Sequence, residues 1–179
     1  SGYRVEDADM VVVGQGAIMD ELVAVVDHLR REKILKAGLI SVSVLRPFAG
    51  AALSHMLAGK RAVTVLERTD SPLSDSSPLF EEVRSAIDRA SENGQSGDTP
   101  PYPDHATFRR LEDRPRMYAG VYGVGGDMPS FAELAAVFEH MAVKGGARRF
   151  YVGARFDTET RRFPHLEALQ QLLVPGGPP

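Results

Sequence analysis

RAVTVLERTDSPLSDSSPLFEEVRSAIDRA, residues 61–90, carries the change of pattern from which the fold class follows. Ala62 to Leu66 is an almost wholly apolar run rich in β-branched residues, and it turns charged at Glu67, Arg68 and Asp70. That pattern suits a strand buried on both faces whose carboxyl end reaches solvent. SPLSDSSP cannot continue a strand. Ser77 followed by Pro78 supplies a helix N-cap and a pre-set first helical position, with Glu81 and Glu82 near the positive end of the helix dipole. Leu79, Val83 and Ile87 then recur every fourth residue and give that helix one apolar face for the sheet. The unit is strand, polar loop, helix.

Working outward, the same alternation repeats. Met10 to Val13 is a buried-strand signal closed by Gly14-Gln15-Gly16, and Ile18, Leu22, Val25, Val26 and Leu29 form a helical stripe with Asp20, Glu21, Asp27, Arg30 and Arg31 facing away. A second strand is expected over residues 38–45, stopped by Arg46-Pro47 because proline lacks the ladder donor. A short helix carrying Ala52, Leu53, Met56 and Leu57 ends at Gly59, a natural C-cap. Residues 91–116 contain Pro100, Pro101, Pro103 and Pro115, which forbid a regular helix or central strand around them and point to a long surface connection. Met117 to Val121 resumes as a strand and leads into the glycine-rich YGVGGDMPS. Ser130 with Glu133 forms a capping box for a helix whose stripe is Phe131, Leu134, Phe138 and Met141. Phe150, Tyr151 and Val152 make a last strand. Residues 1–155 therefore read as one α/β domain with a mostly parallel five-stranded sheet and right-handed crossovers. Residues 156–179, with Leu166, Leu169 and Leu173, read as an extension that buries too little surface to order itself and docks on a neighbour.

Composition narrows the function classes. At 179 residues, 43% hydrophobic and 25% charged, the chain can bury one sizeable core. A net charge of -3 with both signs interspersed gives no electrostatic footprint for nucleic acid or an anionic membrane. There is no cysteine, so this chain holds no disulfide, thiolate metal site or cysteine nucleophile. The apolar runs are far short of a membrane span and the start of the chain lacks the regions of a signal peptide, so a cytoplasmic protein is expected. The first residue is Ser1 rather than methionine, and the chain reads as a piece of a longer one.

Few residues suggest chemistry. Gly14-Gln15-Gly16 begins like a dinucleotide fingerprint, but Met19 takes the third glycine position, and a strand-to-helix turn is the simpler reading. Gly59-Lys60 resembles the end of a P-loop, yet Arg61 stands where serine or threonine belongs, and a helix cap explains the glycine. The five histidines show no His-x-x-x-His spacing, and His28 and His140 are expected on solvated helix faces. Glu67, Arg68 and Asp70 sit where open α/β sheets place ligands, although a structural ion pair or a domain contact is the stronger reading. The turn at 123–130 could cradle an anion at a helix N-terminus, or its glycines could simply admit another domain closely. The candidate contact residues are Gly123, Gly125, Gly126, Ser130 and Arg68. A bulky replacement such as Gly125→Val is expected to impair assembly or turnover, costing stability only if Gly125 has a positive φ.

Taken together, EDADMVVVGQGA, the LRPF at Leu45 to Phe48, VLERTDSPL followed by PLFEEVRSA, and YGVGGDMPS resemble the second core domain of the pyruvate:ferredoxin (flavodoxin) oxidoreductase family, the 2-oxoacid:acceptor oxidoreductases. The resemblance runs over most of residues 3–153 in the right order. It implies an α/β/α sandwich similar to the C-terminal domain of transketolase, with one strand, at an edge, antiparallel to the rest. It also implies an enzyme that oxidatively decarboxylates 2-oxoacids with coenzyme A, using thiamine diphosphate, magnesium and iron-sulfur clusters to pass electrons to ferredoxin or flavodoxin. In that family the thiamine and cluster sites lie in other domains, so this chain is expected to bind no cofactor and to hold no catalytic residue. Its expected partners are the other domains and subunits of a homo-oligomeric enzyme. Two departures are visible. Gly126 runs directly into Asp127 where family members often carry an arginine (GGRD or GSRD), and residues 72–77 lack the glycines common in pyruvate enzymes, so the substrate need not be pyruvate. The alternatives are a free-standing anion-binding module and a small dinucleotide-dependent enzyme.

Overall fold

The strand-to-helix switch read at 61–90 is present, and it recurs along the chain. The computed structural model describes residues 1–68, 76–124, 126 and 128–153. In chain order the elements are β1 (Gly2–Tyr3), β2 (Met10–Gly14), α1 (Ile18–Arg31), β3 (Ala37–Ser41), α2 (Gly50–Leu57), β4 (Ala62–Glu67), α3 (Pro78–Gln95), a 3-10 turn (Leu111–Asp113), β5 (Arg116–Tyr122), α4 (Phe131–Ala142) and β6 (Arg149–Val152). The strands form one sheet in the order β1-β3-β2-β4-β5-β6. All neighbours are parallel except β1, which runs antiparallel to β3 with Tyr3 opposite Leu39. The sheet thus has six strands where five were expected. The sixth is the two-residue β1, the antiparallel edge strand, too short to leave any periodic signal of its own.

Every residue of β2 and β4 is buried, as two-faced coverage of an apolar strand requires. Met10, Val12, Ala62 and Leu66 face a cluster built with α1 and α4, whereas Val11, Val13, Val63 and Val65 face one built with α2 and α3. The result is a three-layer sandwich. β3 stops at Ser41, short of the expected Leu45, because its partner β2 ends at Gly14 opposite Ser41. Beyond one further bond from the Val42 amide to the Gly14 carbonyl (2.9 Å) the alternating segment has no ladder to join, and Val44 is exposed.

The expectation of a uniform crossover hand fails at α4. β4, β5 and β6 advance in one direction across the sheet, yet α3 packs beside α2 on one face while α4 packs beside α1 on the other. The connection through α4 therefore has the opposite hand to those through α1, α2 and α3, against the strong right-handed preference of such units. Consequently the β5–β6 half of the sheet carries a described helix on one face only.

The proline-bearing connection is more than surface. α3 continues to Gln95, and Ala106 and Phe108 are buried in the core on the α2/α3 face. The anchor is Asn93, 1% exposed, whose side-chain amide donates to the carbonyls of Tyr102 (2.7 Å) and Ala106 (3.1 Å) and accepts from the Tyr102 amide (2.9 Å). Gly94 lets the chain come this close: a Cβ there would stand 1.8 Å from the Phe108 carbonyl oxygen. Arg30, expected on the outer face of α1, instead turns back to grip the start of the chain. It pairs with both carboxylate oxygens of Asp7 (2.8 and 3.1 Å) and donates to the carbonyls of Ala37 and Arg4. The extension from residue 156 lies outside the described residues.

Candidate functional site

Open α/β sheets bind ligands outside the carboxyl ends of their strands, at the point where the chain order reverses. Here that point lies between β2 and β4, and it is closed. A Cβ on Gly14 would meet the Met19 Sδ at 2.8 Å and the Leu66 carbonyl oxygen at 3.1 Å, and Met19 itself is buried. The glycine therefore serves packing between β2, β4 and α1, with Met19 filling the space above it. Lys60 is likewise structural: its Nζ donates to the Val5 and Glu6 carbonyls at 2.6 and 3.1 Å, fastening the turn before β2.

Glu67 ends β4 pointing at the start of α3. Its carboxylate accepts from the Leu79 and Phe80 amides, both at 3.0 Å, and from the Ser77 hydroxyl. Ser77 is the N-cap residue by position, but its hydroxyl makes no capping bond to the helix; a charge from ten residues earlier does that work, and charge-assisted bonds at a positive helix end are strong. α4 is capped from within. The Ser130 hydroxyl accepts from the Glu133 amide (3.4 Å), and the Glu133 carboxylate accepts from the Ser130 amide and hydroxyl, each at 2.7 Å. This is the capping box read from the sequence. The N-termini of α3 and α4 thus already hold a carboxylate of the chain.

The glycine turn and Arg68 do come together. Gly123 (φ +71°) and Gly126 (φ +96°) are left-handed, and the Gly126 amide closes on the Gly123 carbonyl at 3.2 Å. Arg68, exposed at the end of β4, lies across Gly123, so that a Cβ there would stand 3.1 Å from its Nε and 3.2 Å from its Cγ. The glycine that turns the chain towards α4 is also the one that admits Arg68. Beneath them, burial pushes the Tyr122 phenol above its usual range, with Arg68 pulling it back and Glu21 adding to the rise. Gly125 and Asp127 lie outside the described residues, and the Gly125→Val expectation falls outside them too.

The sequence reading missed the apolar rim of this turn. Met128 and Phe131 are 44% and 47% exposed, and Phe131, placed in the buried stripe of α4 by periodicity, instead stacks edge-on against His28 at 5.5 Å between ring centroids. Val137 occupies the core position in its stead. His28 and His140, expected on solvated faces, are both half-buried. The His140 Nε2 hydrogen-bonds the Ala147 carbonyl (2.8 Å), and its ring lies against Tyr118 and Phe150. Among the described residues no group of three or more His, Asp or Glu comes within reach of a common metal ion.

Comparison with known proteins places this geometry. The profile of the family described as "Pyruvate:ferredoxin oxidoreductase core domain II" matches residues 8–97. The chain is 32% identical over 124 residues to the pyruvate synthase subunit PorA of Thermotoga maritima, covering 69% of this chain and 26% of that protein. It is 29% identical over 165 residues to a probable pyruvate-flavodoxin oxidoreductase of Escherichia coli, covering 90% of this chain and 12% of the relative. Against the pyruvate:ferredoxin oxidoreductase of Moorella thermoacetica the identity is 28% over 152 residues, 84% of this chain and 11% of the other. The chain spans about a quarter or less of these relatives.

Proposed function

Because the chain belongs to the pyruvate:ferredoxin oxidoreductase core domain II family, we propose that it is the non-catalytic, contact-making domain of a cytoplasmic 2-oxoacid:ferredoxin (flavodoxin) oxidoreductase. The whole enzyme would oxidatively decarboxylate a 2-oxoacid with coenzyme A, using thiamine diphosphate, magnesium and iron-sulfur clusters supplied by its other domains, and would act as a homo-oligomer. The observation that carries this reading is the match of residues 8–97 to a core domain of an enzyme several times longer than this chain.

The residues present do not fit the cofactors themselves. Iron-sulfur clusters are held by cysteine thiolates, and the chain has no cysteine. The N-termini of α3 and α4, the latter opened by the glycine turn, are filled by Glu67 and Glu133. What the carboxyl end of the sheet offers is a contact surface. Arg68 lies across Gly123, which Gly126 closes on, and the exposed Met128 and Phe131 follow before and after Ser130, a surface suited to close approach by another backbone, to which we also assign Gly125 from the sequence. That surface is the proposed site of inter-domain or inter-subunit contact.

The test has two arms. Titration of the chain with thiamine diphosphate and magnesium should give no saturable heat, and micromolar binding would overturn the assignment. In the complete enzyme, Gly123→Val should lower oligomer formation and 2-oxoacid-dependent acceptor reduction together; wild-type values for both would show that the turn is only a loop.

A further inference from the structure

The unusual hand of the α4 connection leaves a groove on the opposite face of the sheet, beside the start of β5. It has a volume of about 480 Å³ and is lined by four arginines, Arg84, Arg114, Arg116 and Arg148, and by apolar residues that include Leu111 and Met117; among the described residues no carboxylate lines it. Leu111, in the 3-10 turn, is 88% exposed, the most exposed large apolar side chain among the described residues. Asp88 serves two of the arginines at once, Arg114 at 2.6 Å and Arg84 at 3.9 Å. Arg148 donates to the Met117 carbonyl (3.1 Å) and lies over the Tyr118 ring, and Arg116 donates to the Met141 carbonyl (3.1 Å), so neither positive charge is neutralised by these contacts. An exposed leucine beside four guanidinium groups that have, among the described residues, one carboxylate between them is well suited to a partner with carboxylates around an apolar residue.

We propose that this groove docks an acidic segment, carrying an apolar side chain beside its carboxylates, from another domain or subunit of the same oxidoreductase. The proposal rests on the reading that this chain is one domain of a larger enzyme. Charge complementarity selects the occupant. A second copy would bring the same arginines and be repelled. Residues 154–179 carry three arginines and three carboxylates, which makes them no better a complement. The remaining parts of the enzyme, which in the matched relatives exceed this chain several-fold in length, are the source.

The experiment places a photoreactive amino acid at Leu111 in the purified complete enzyme and identifies the cross-linked peptide by mass spectrometry. Exposure of Leu111 means the replacement leaves folding intact. The expected product joins Leu111 to a peptide outside this chain that is rich in Asp or Glu, and Arg84→Glu should cut its yield about tenfold, the loss expected for about 1.4 kcal/mol. Leu111→Asp should slow assembly in the same preparation without lowering the melting temperature of the chain. Absence of a cross-link, a product within residues 154–179, a product with the same face of a second copy, or a peptide without carboxylates would each overturn the proposal. Acceptor reduction by the unmodified enzyme is measured separately. A correct cross-link in a protein without 2-oxoacid activity removes the functional reading and keeps the docking site, and an active enzyme with none of the expected cross-link does the reverse.

Discussion

The two halves of the sheet differ in how completely this chain covers them. Around β2 and β4 every strand residue is buried between two helical layers, whereas in β5 and β6 Met117, Ala119, Phe150 and Tyr151 remain half-buried. In the closed half each unusual residue is explained by a contact within the chain: Gly14 by Met19, Lys60 by two carbonyls, Glu67 by two helix amides. In the open half the conspicuous features, Leu111 at 88% exposure, four groove arginines with one carboxylate between them among the described residues, and Met128 and Phe131 at 44% and 47%, are only partly covered from within the chain. The difference teaches that one α/β domain can close one half of its sheet with its own helices and leave the other half partly open.

That contrast can be broken by substitution. The largest effect is expected at Gly94, where a Cβ would strike the Phe108 carbonyl. Gly94→Val should undock the connection and cost about 3–5 kcal/mol, the range of severe core defects, read as a lower denaturation midpoint at unchanged slope. If Gly94→Val melts like wild type, the connection is not part of the closed half. Next comes Phe138→Ala, which deletes a fully buried ring under α4 and should cost about 3–5 kcal/mol, while Leu111→Ser should stay within about 0.5 kcal/mol. Equal losses for the two would erase the distinction between covered and open regions. Asn93→Ala strands the carbonyls of Tyr102 and Ala106 and should cost about 2–3 kcal/mol; amide exchange should then accelerate at Tyr102, whose amide bonds the Asn93 side chain, with β4 unaffected.

A smaller effect concerns Gly123. With φ at +71°, Gly123→Ala should cost about 1–2 kcal/mol, the left-handed penalty for a residue with a Cβ; Arg68 is exposed and can swing aside. The smallest effect is a pH dependence. Burial, then the nearby Arg89, hold His105 below its ordinary range, with His55 acting the same way and Asp104 opposing, and its Nε2 is buried without a hydrogen-bond partner among the described residues. A His with a depressed folded pKa binds a proton more readily when unfolded. Stability is therefore full above about pH 6.5, falls as the pH drops towards the folded value, and levels off below it. Melting curves between about pH 8 and 5 should show this fall, and His105→Gln should flatten it; an unchanged slope in that variant would assign the effect elsewhere.

Local pattern carried the element order. The β-branched runs of β2 and β4, the fourfold spacing of α1 and α3 and the Ser130–Glu133 box are properties of neighbouring residues, and neighbours suffice to set strand, helix and cap. The resemblance carried by LRPF, VLERTDSPL and YGVGGDMPS likewise sits in contiguous residues, and it led to the family. Only the folded chain decided the rest, because each such feature joins residues far apart in sequence. β1 exists by pairing with residues nearly forty positions later. Glu67 caps a helix that starts eleven residues on. Asn93 and Gly94 matter through a connection that returns to them. The face chosen by α4 is a relation between α4 and α1 across the sheet that no periodicity of side chains records.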